Sequence, residues 1–128
     1  MKKLIFIVLI AMASCSKSTN TPQPVTSFNV TASVTVKTIP SSTTQFGFWT
    51  TVSIAPAPVT DTLYATLTWG EFDNQGRLVK NITFTHKLAP NQQTTQVYTG
   101  YTTNSNSTGS LLKIVKVDYS NPNFSFKF

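Results

Sequence analysis

The stretch Leu63-Tyr64-Ala65-Thr66-Leu67-Thr68-Trp69-Gly70-Glu71-Phe72, joined by Asp73-Asn74-Gln75-Gly76 to a second run ending at Leu88, decides the fold class. In its first half Leu63, Ala65, Leu67 and Trp69 fall on one side of an extended chain and Tyr64, Thr66 and Thr68 on the other. That two-residue alternation belongs to a sheet with one buried face. In the second half Leu78, Lys80, Ile82, Phe84, His86 and Leu88 share a side. Gly76 can take the positive φ that a short hairpin loop needs at its end, while Asp73 and Asn74 carry oxygens that bond nearby amides. The stretch therefore predicts an antiparallel hairpin.

The same period continues on both sides. Phe28, Val30, Ala32, Val34 and Val36 alternate with polar residues until Pro40 and Ser41-Ser42. Phe46, Phe48, Thr50, Val52 and Ile54 form the inward set of a second strand, with Gly47 and Trp49 on its other side, and Pro56 and Pro58 end it because proline cannot donate to a ladder. After the hairpin, Leu88-Ala89-Pro90-Asn91 turns the chain into a threonine-rich strand, Thr94 to Tyr101, carrying Val97, Tyr98 and Tyr101. Thr102 to Ser110 is all Thr, Asn, Ser, Gly, and is expected to be an exposed loop, the longest of the domain. Leu111 to Tyr119 follows with Leu111, Val115, Val117 and Tyr119 on one face and Leu112 and Ile114 on the other, the expectation for a strand near the middle of a sheet. Phe124, Phe126 and Phe128 close the series on one face.

Seven short strands with no helical period predict a seven-stranded antiparallel immunoglobulin-like β-sandwich over residues 25–128. Within it, Glu71-Phe72-Asp73-Asn74-Gln75-Gly76-Arg77-Leu78-Val79 and the later Leu88-Ala89-Pro90-Asn91 resemble the pattern of small bacterial FxLYD-type immunoglobulin-like domains, with Asn91 where glycine is usual. The alternating aromatics Phe124, Phe126 and Phe128 also resemble the closing signal of outer-membrane barrels, but such barrels need an even number of strands of about 9–11 residues, so a closing strand of the sandwich is the better reading.

The start of the chain is an address. Met1-Lys2-Lys3 is basic, Leu4 to Met12 is an unbroken apolar run, and Ala13-Ser14-Cys15 ends it with two small residues and a thiol. The run is about half as long as a helix that crosses a bilayer and matches the apolar core of an export signal over residues 1–14. Ala13-Ser14-Cys15 resembles a lipobox, with Met12 where leucine is commonest, and the resemblance implies cleavage before Cys15 and acylation of its thiol. Cys15 is the single cysteine of the chain, so no internal disulfide competes for it. Acyl chains at about 0.8 kcal/mol per buried CH₂ make such an anchor effectively permanent. Ser14-Cys15-Ser16-Lys17 resembles lipoproteins of the Bacteroidota, and Ser16 in place of aspartate implies the outer membrane. Surface-exposed members of that group often carry acidic residues just after the cysteine and Ser16-Lys17-Ser18-Thr19 has none, so the resemblance implies the periplasmic side over the cell surface. Residues 15–24, with Pro22 and Pro24, read as the lipidated cysteine and a flexible tether. In the same vein Asp61-Thr62-Leu63 matches the O-glycosylation acceptor of exported Bacteroidota proteins, which would place a glycan on Thr62.

Loss of Lys2 and Lys3 with the signal takes the formal charge from +6 to about +4, carried by basic residues spread singly along the chain, so nucleic acid is not an expected partner. The chemical inventory is small. Only Asp61, Glu71, Asp73 and Asp118 are acidic, His86 is the only histidine, and no serine sits in a nucleophile elbow, so no catalytic residue, cofactor or enzyme activity is assigned. Glu71-x-Asp73-Asn74 reads as turn chemistry and not as a calcium loop, and no metal ligand set is present. Four rings are candidates for ligand contact: Trp49, Tyr64, Tyr98 and Tyr101. Exposed rings can stack on sugar faces or dock a protein. Trp69 falls with the core set, whereas Trp49 admits either a core or an exposed position. The expected function is that of a lipid-anchored envelope protein with a non-enzymatic module for protein binding or structural support, the alternative being glycan binding through the aromatics.

Overall fold

The computed structural model describes residues 26–128. The signal peptide over residues 1–14, Cys15 and the tether lie outside the described residues. Seven strands follow: β1 (Thr26–Thr38), β2 (Phe46–Ala55), β3 (Leu63–Phe72), β4 (Leu78–Leu88), β5 (Thr94–Thr102), β6 (Thr108–Asp118) and β7 (Phe124–Lys127). They form a four-stranded sheet in the order β5-β2-β1-β7 and a three-stranded sheet in the order β4-β3-β6. The two pack face to face as a β-sandwich, as the alternation predicts. β1, β2 and β5 share one sheet and β3 pairs with β6 in the other, as in an immunoglobulin domain. The antiparallel expectation fails at one place, because β7 crosses to the first sheet and runs parallel to β1, pairing Phe28 with Phe126.

The core is the set that period two picks out. Phe28, Val30, Phe48, Val52 and Ile54 of the first sheet meet Leu63, Ala65, Leu67, Trp69 and Leu88 of the second. At the centre the rings of Phe48 and Trp69 lie 4.7 Å apart across the two sheets. On β4 His86 and Leu88 are buried, Ile82 and Phe84 half-buried and Lys80 exposed, but Leu78 leaves the face expected for it: the register shift at Glu71/Phe72 skips Val79 and pairs Leu78 with Phe72 on the outer surface, over Gly70. The β3–β4 turn forms for the local reasons read from its residues. Gly76 has φ +75°, and the Asp73 carboxylate accepts from the Gln75 and Arg77 amides and pairs with the Arg77 side chain at 2.8 Å.

β6 differs from its expected form. It lies at the edge of its sheet and not in the middle, and its inward residues are Gly109, Leu111, Ile114 and Val117, opposite Glu71, Trp69, Leu67 and Ala65. Register shifts inside Thr66/Leu67 and Thr68/Trp69 leave Val115 and Leu112 as extra residues with no partner on β3. Each such bulge resets the alternation, which is why two apolar side chains stand about half exposed on this strand. The polar segment before β6 is also shorter than expected. Thr108 to Ser110 pair with β3, the connection is only residues 103–107, and its ends are buried at Thr102 and Ser107, where the Ser107 hydroxyl donates to Glu71 at 3.3 Å.

Candidate functional site

The register of β2 against its neighbours determines which side chains share the outer face of the four-stranded sheet. Inward-facing Phe48, Thr50, Val52 and Ile54 send Trp49, Thr51 and Ser53 outward. Trp49 pairs with Tyr98 of β5 and with Thr35 of β1, and Gly47 pairs with Tyr101 and with Lys37. The Trp49 and Tyr98 rings meet edge to face, 5.5 Å between centroids, and the Lys37 ammonium lies 5.9 Å from the Trp49 ring. Gly47 is what makes room for this group: a Cβ there would run into the Trp49 ring and stand 3.1 Å from Tyr98 Cε2. Trp49 is half-buried, resting on the sheet and bordered by Tyr98, which is 45% exposed, and Tyr101, which is 58% exposed.

Three of the four rings singled out from sequence therefore gather at one end of one face. Tyr64 does not join them. It lies on β3, outward from the three-stranded sheet, beside Lys87 and Asp118, with the thickness of the sandwich in between. The reason is topological: sequence alternation says that a ring faces away from the core, not which of two outer surfaces it lies on. Thr62 sits just before β3, half-buried, in a shallow groove with Tyr64, Asp118 and Tyr119.

Two buried polar pairs escaped the sequence reading. His86 is fully buried, and its Nε2 lies 2.9 Å from the Thr50 carbonyl and 2.7 Å from the Thr50 hydroxyl. A carbonyl only accepts, so Nε2 carries the proton and Nδ1 is left as a buried lone pair with no partner. Desolvation pushes the His86 pKa below its ordinary value of 6.5, and the bond to the Thr50 carbonyl opposes that in part. The pair joins β4 of one sheet to β2 of the other. His86 is thus a polar bridge within the core, two residues from the end of β4. The inward positions of Thr50, between Phe48 and Val52, and of His86, between Phe84 and Leu88, are the traces of this in the sequence. The Ser107–Glu71 pair had no sequence signal at all.

Among the described residues no three His, Cys, Asp or Glu side chains come close enough to hold a metal ion. Comparison with known protein families, curated proteins and solved structures finds no match.

Proposed function

We propose that this is a lipid-anchored protein of the bacterial envelope, held to the outer membrane through Cys15, whose sandwich serves as a non-enzymatic module for binding another envelope protein or for structural support. The observation that carries the reading is the order of segments. A basic start, the apolar run Leu4 to Met12 and Ala13-Ser14-Cys15 precede a tether with two prolines, and the sandwich begins at Thr26. Nine residues from Ser16 to Pro24 reach at most about 30 Å, so the domain works within that distance of the lipid. Metabolic labelling with an alkyne palmitate analogue tests it. The wild type becomes tagged and fractionates with membranes, and Cys15→Ser does neither; an untagged wild type overturns the anchor. Protease added to intact cells is expected to leave the protein whole on the periplasmic side. For Thr62, intact mass greater than peptide plus lipid, lost in Thr62→Ala, is the expected signature of glycosylation.

The cluster of Trp49, Tyr98 and Tyr101 on one sheet face favours a second reading, glycan binding.

A further inference from the structure

We infer that the outer face of the four-stranded sheet is a binding site for an extended, uncharged oligosaccharide, which rests on the glycan reading and names its site and ligand class. The cluster of rings is only one end of a continuous surface. Running away from Trp49 on β2 are Thr51 and Ser53, and beside them on β1 stand Thr35, Ser33 and Thr31. β5 adds Gln96 and Thr94, already organised as partners: Gln96 Nε2 donates to the Thr51 hydroxyl at 2.9 Å, and the Ser53 and Thr94 hydroxyls are 3.1 Å apart. At the far end Asn29, Thr31, Ser53, Gln93 and Thr94 line an open recess of about 270 Å³. From Trp49 to Ser53 the strand advances four residues, about 13 Å at ~3.3 Å each, and the recess continues beyond. That length suits a short chain of sugar units and exceeds one.

Charge selects among possible occupants. All four carboxylates of the chain lie elsewhere: Asp61 before β3, Glu71 inward, Asp73 in the β3–β4 turn and Asp118 on β6. The lysines divide unequally as well. Lys87, Lys113 and Lys116 are in register with Tyr64, Thr68 and Thr66 on the opposite outer face, whereas the face with the rings has Lys37 at one margin and Lys127, in register with Asn29, at the other. Between those margins the outward side chains of the described residues are hydroxyls, amides and rings, with the Ala55 methyl beside Asn29 the one apolar addition. Among the described residues an anionic polysaccharide would meet a cation only at the two ends, Lys37 and Lys127, and none along the rows between, and a cationic ligand would meet no side-chain carboxylate. A neutral sugar chain presents hydroxyls that exchange hydrogen bonds with Thr, Ser and Gln, and C–H faces that stack on Trp49 and Tyr98.

The test is affinity electrophoresis of the full-length lipidated protein, in a zwitterionic detergent without a sugar headgroup, through gels containing β-glucan, galactomannan, xyloglucan or glycogen, with polygalacturonate and a plain gel alongside. At least one neutral polysaccharide is expected to slow the wild type, and Trp49→Ala and Tyr98→Ala to weaken binding roughly ten-fold, the size of a lost ring contact. Gln96→Ala, at an exposed side chain, is expected to weaken it without altering the thermal melt, and Tyr64→Ala to behave as wild type. Retardation that persists in both ring variants overturns the site while leaving glycan binding standing. Retardation by polygalacturonate alone overturns the neutral class. If no polysaccharide slows the protein, the site and the glycan reading fall together, and protein docking remains.

Discussion

His86 is the only histidine of the chain and sits in the core with no charged group among its hydrogen-bond partners. Because burial lowers its pKa from 6.5, the unfolded chain takes up a proton at a pH where the folded protein does not. The stability it contributes is complete above about pH 6.5 and is lost as pH falls from there toward the folded value. Between pH 7 and 5 His86 therefore adds a loss of stability as pH falls. Urea midpoints measured across that range should fall toward pH 5 more steeply for the wild type than for His86→Gln. An equal slope in both proteins removes His86 as the cause. A second residue behaves as its backbone dictates. Asn91 stands at φ +65°, the left-handed region where asparagine and glycine are tolerated, and its amide donates to the Pro58 carbonyl. Asparagine at 91 thus holds a conformation that glycine would also adopt. Asn91→Gly should leave the chemical denaturation midpoint almost unchanged, while a β-branched Asn91→Val should cost about 1–2 kcal/mol.

At the scale of the element, β3 and β6 show what period two can and cannot reveal. β3 lies between two strands, one ladder on each side, and keeps its own alternation throughout: Leu63, Ala65, Leu67 and Trp69 are buried as read. β6 has one neighbour, and at a sheet edge an extra residue disturbs only one ladder. Two bulges there convert the spacing of inward residues from two to three between Leu111, Ile114 and Val117, a pattern that looks two-sided in the sequence. The rank order of substitutions separates these readings. Ile114→Ala, opposite Leu67, should cost about 2–4 kcal/mol in equilibrium unfolding, and Val115→Ala, on a side chain 50% exposed, well under about 1 kcal/mol. Equal costs at the two positions would restore the plain alternation. The polar stretch before β6 misled for a related reason: Thr and Ser are as much at home at a strand end facing a buried carboxylate as in a loop, and only the ladder to β3 distinguishes the two.

For the molecule as a whole, strand positions were legible because burying one face of each strand is a local rule, whereas the arrangement of faces was not, because it depends on which strands pair at long range. That is why Trp49, Tyr98 and Tyr64 could be named as candidate contact rings but not sorted between the two outer surfaces, and why Trp49 admitted a core position as well. The same dependence makes the contact between sheets the strongest test of the architecture. Phe48 belongs to β2 and Trp69 to β3, which share no ladder, and their rings are held 4.7 Å apart at an interplanar angle of 41°. Both are fully buried, so truncating either leaves a cavity that the other sheet lines. Phe48→Leu and Trp69→Leu are each expected to destabilise, and the double variant to lose less than their sum by about 0.5–1.5 kcal/mol, because the ring contact can be lost only once. The cycle is read from urea unfolding followed by circular dichroism, since replacing Trp69 removes the buried indole from the fluorescence signal. Strict additivity would mean that the two rings do not touch, and with it the face-to-face packing of β2 on β3 would fail.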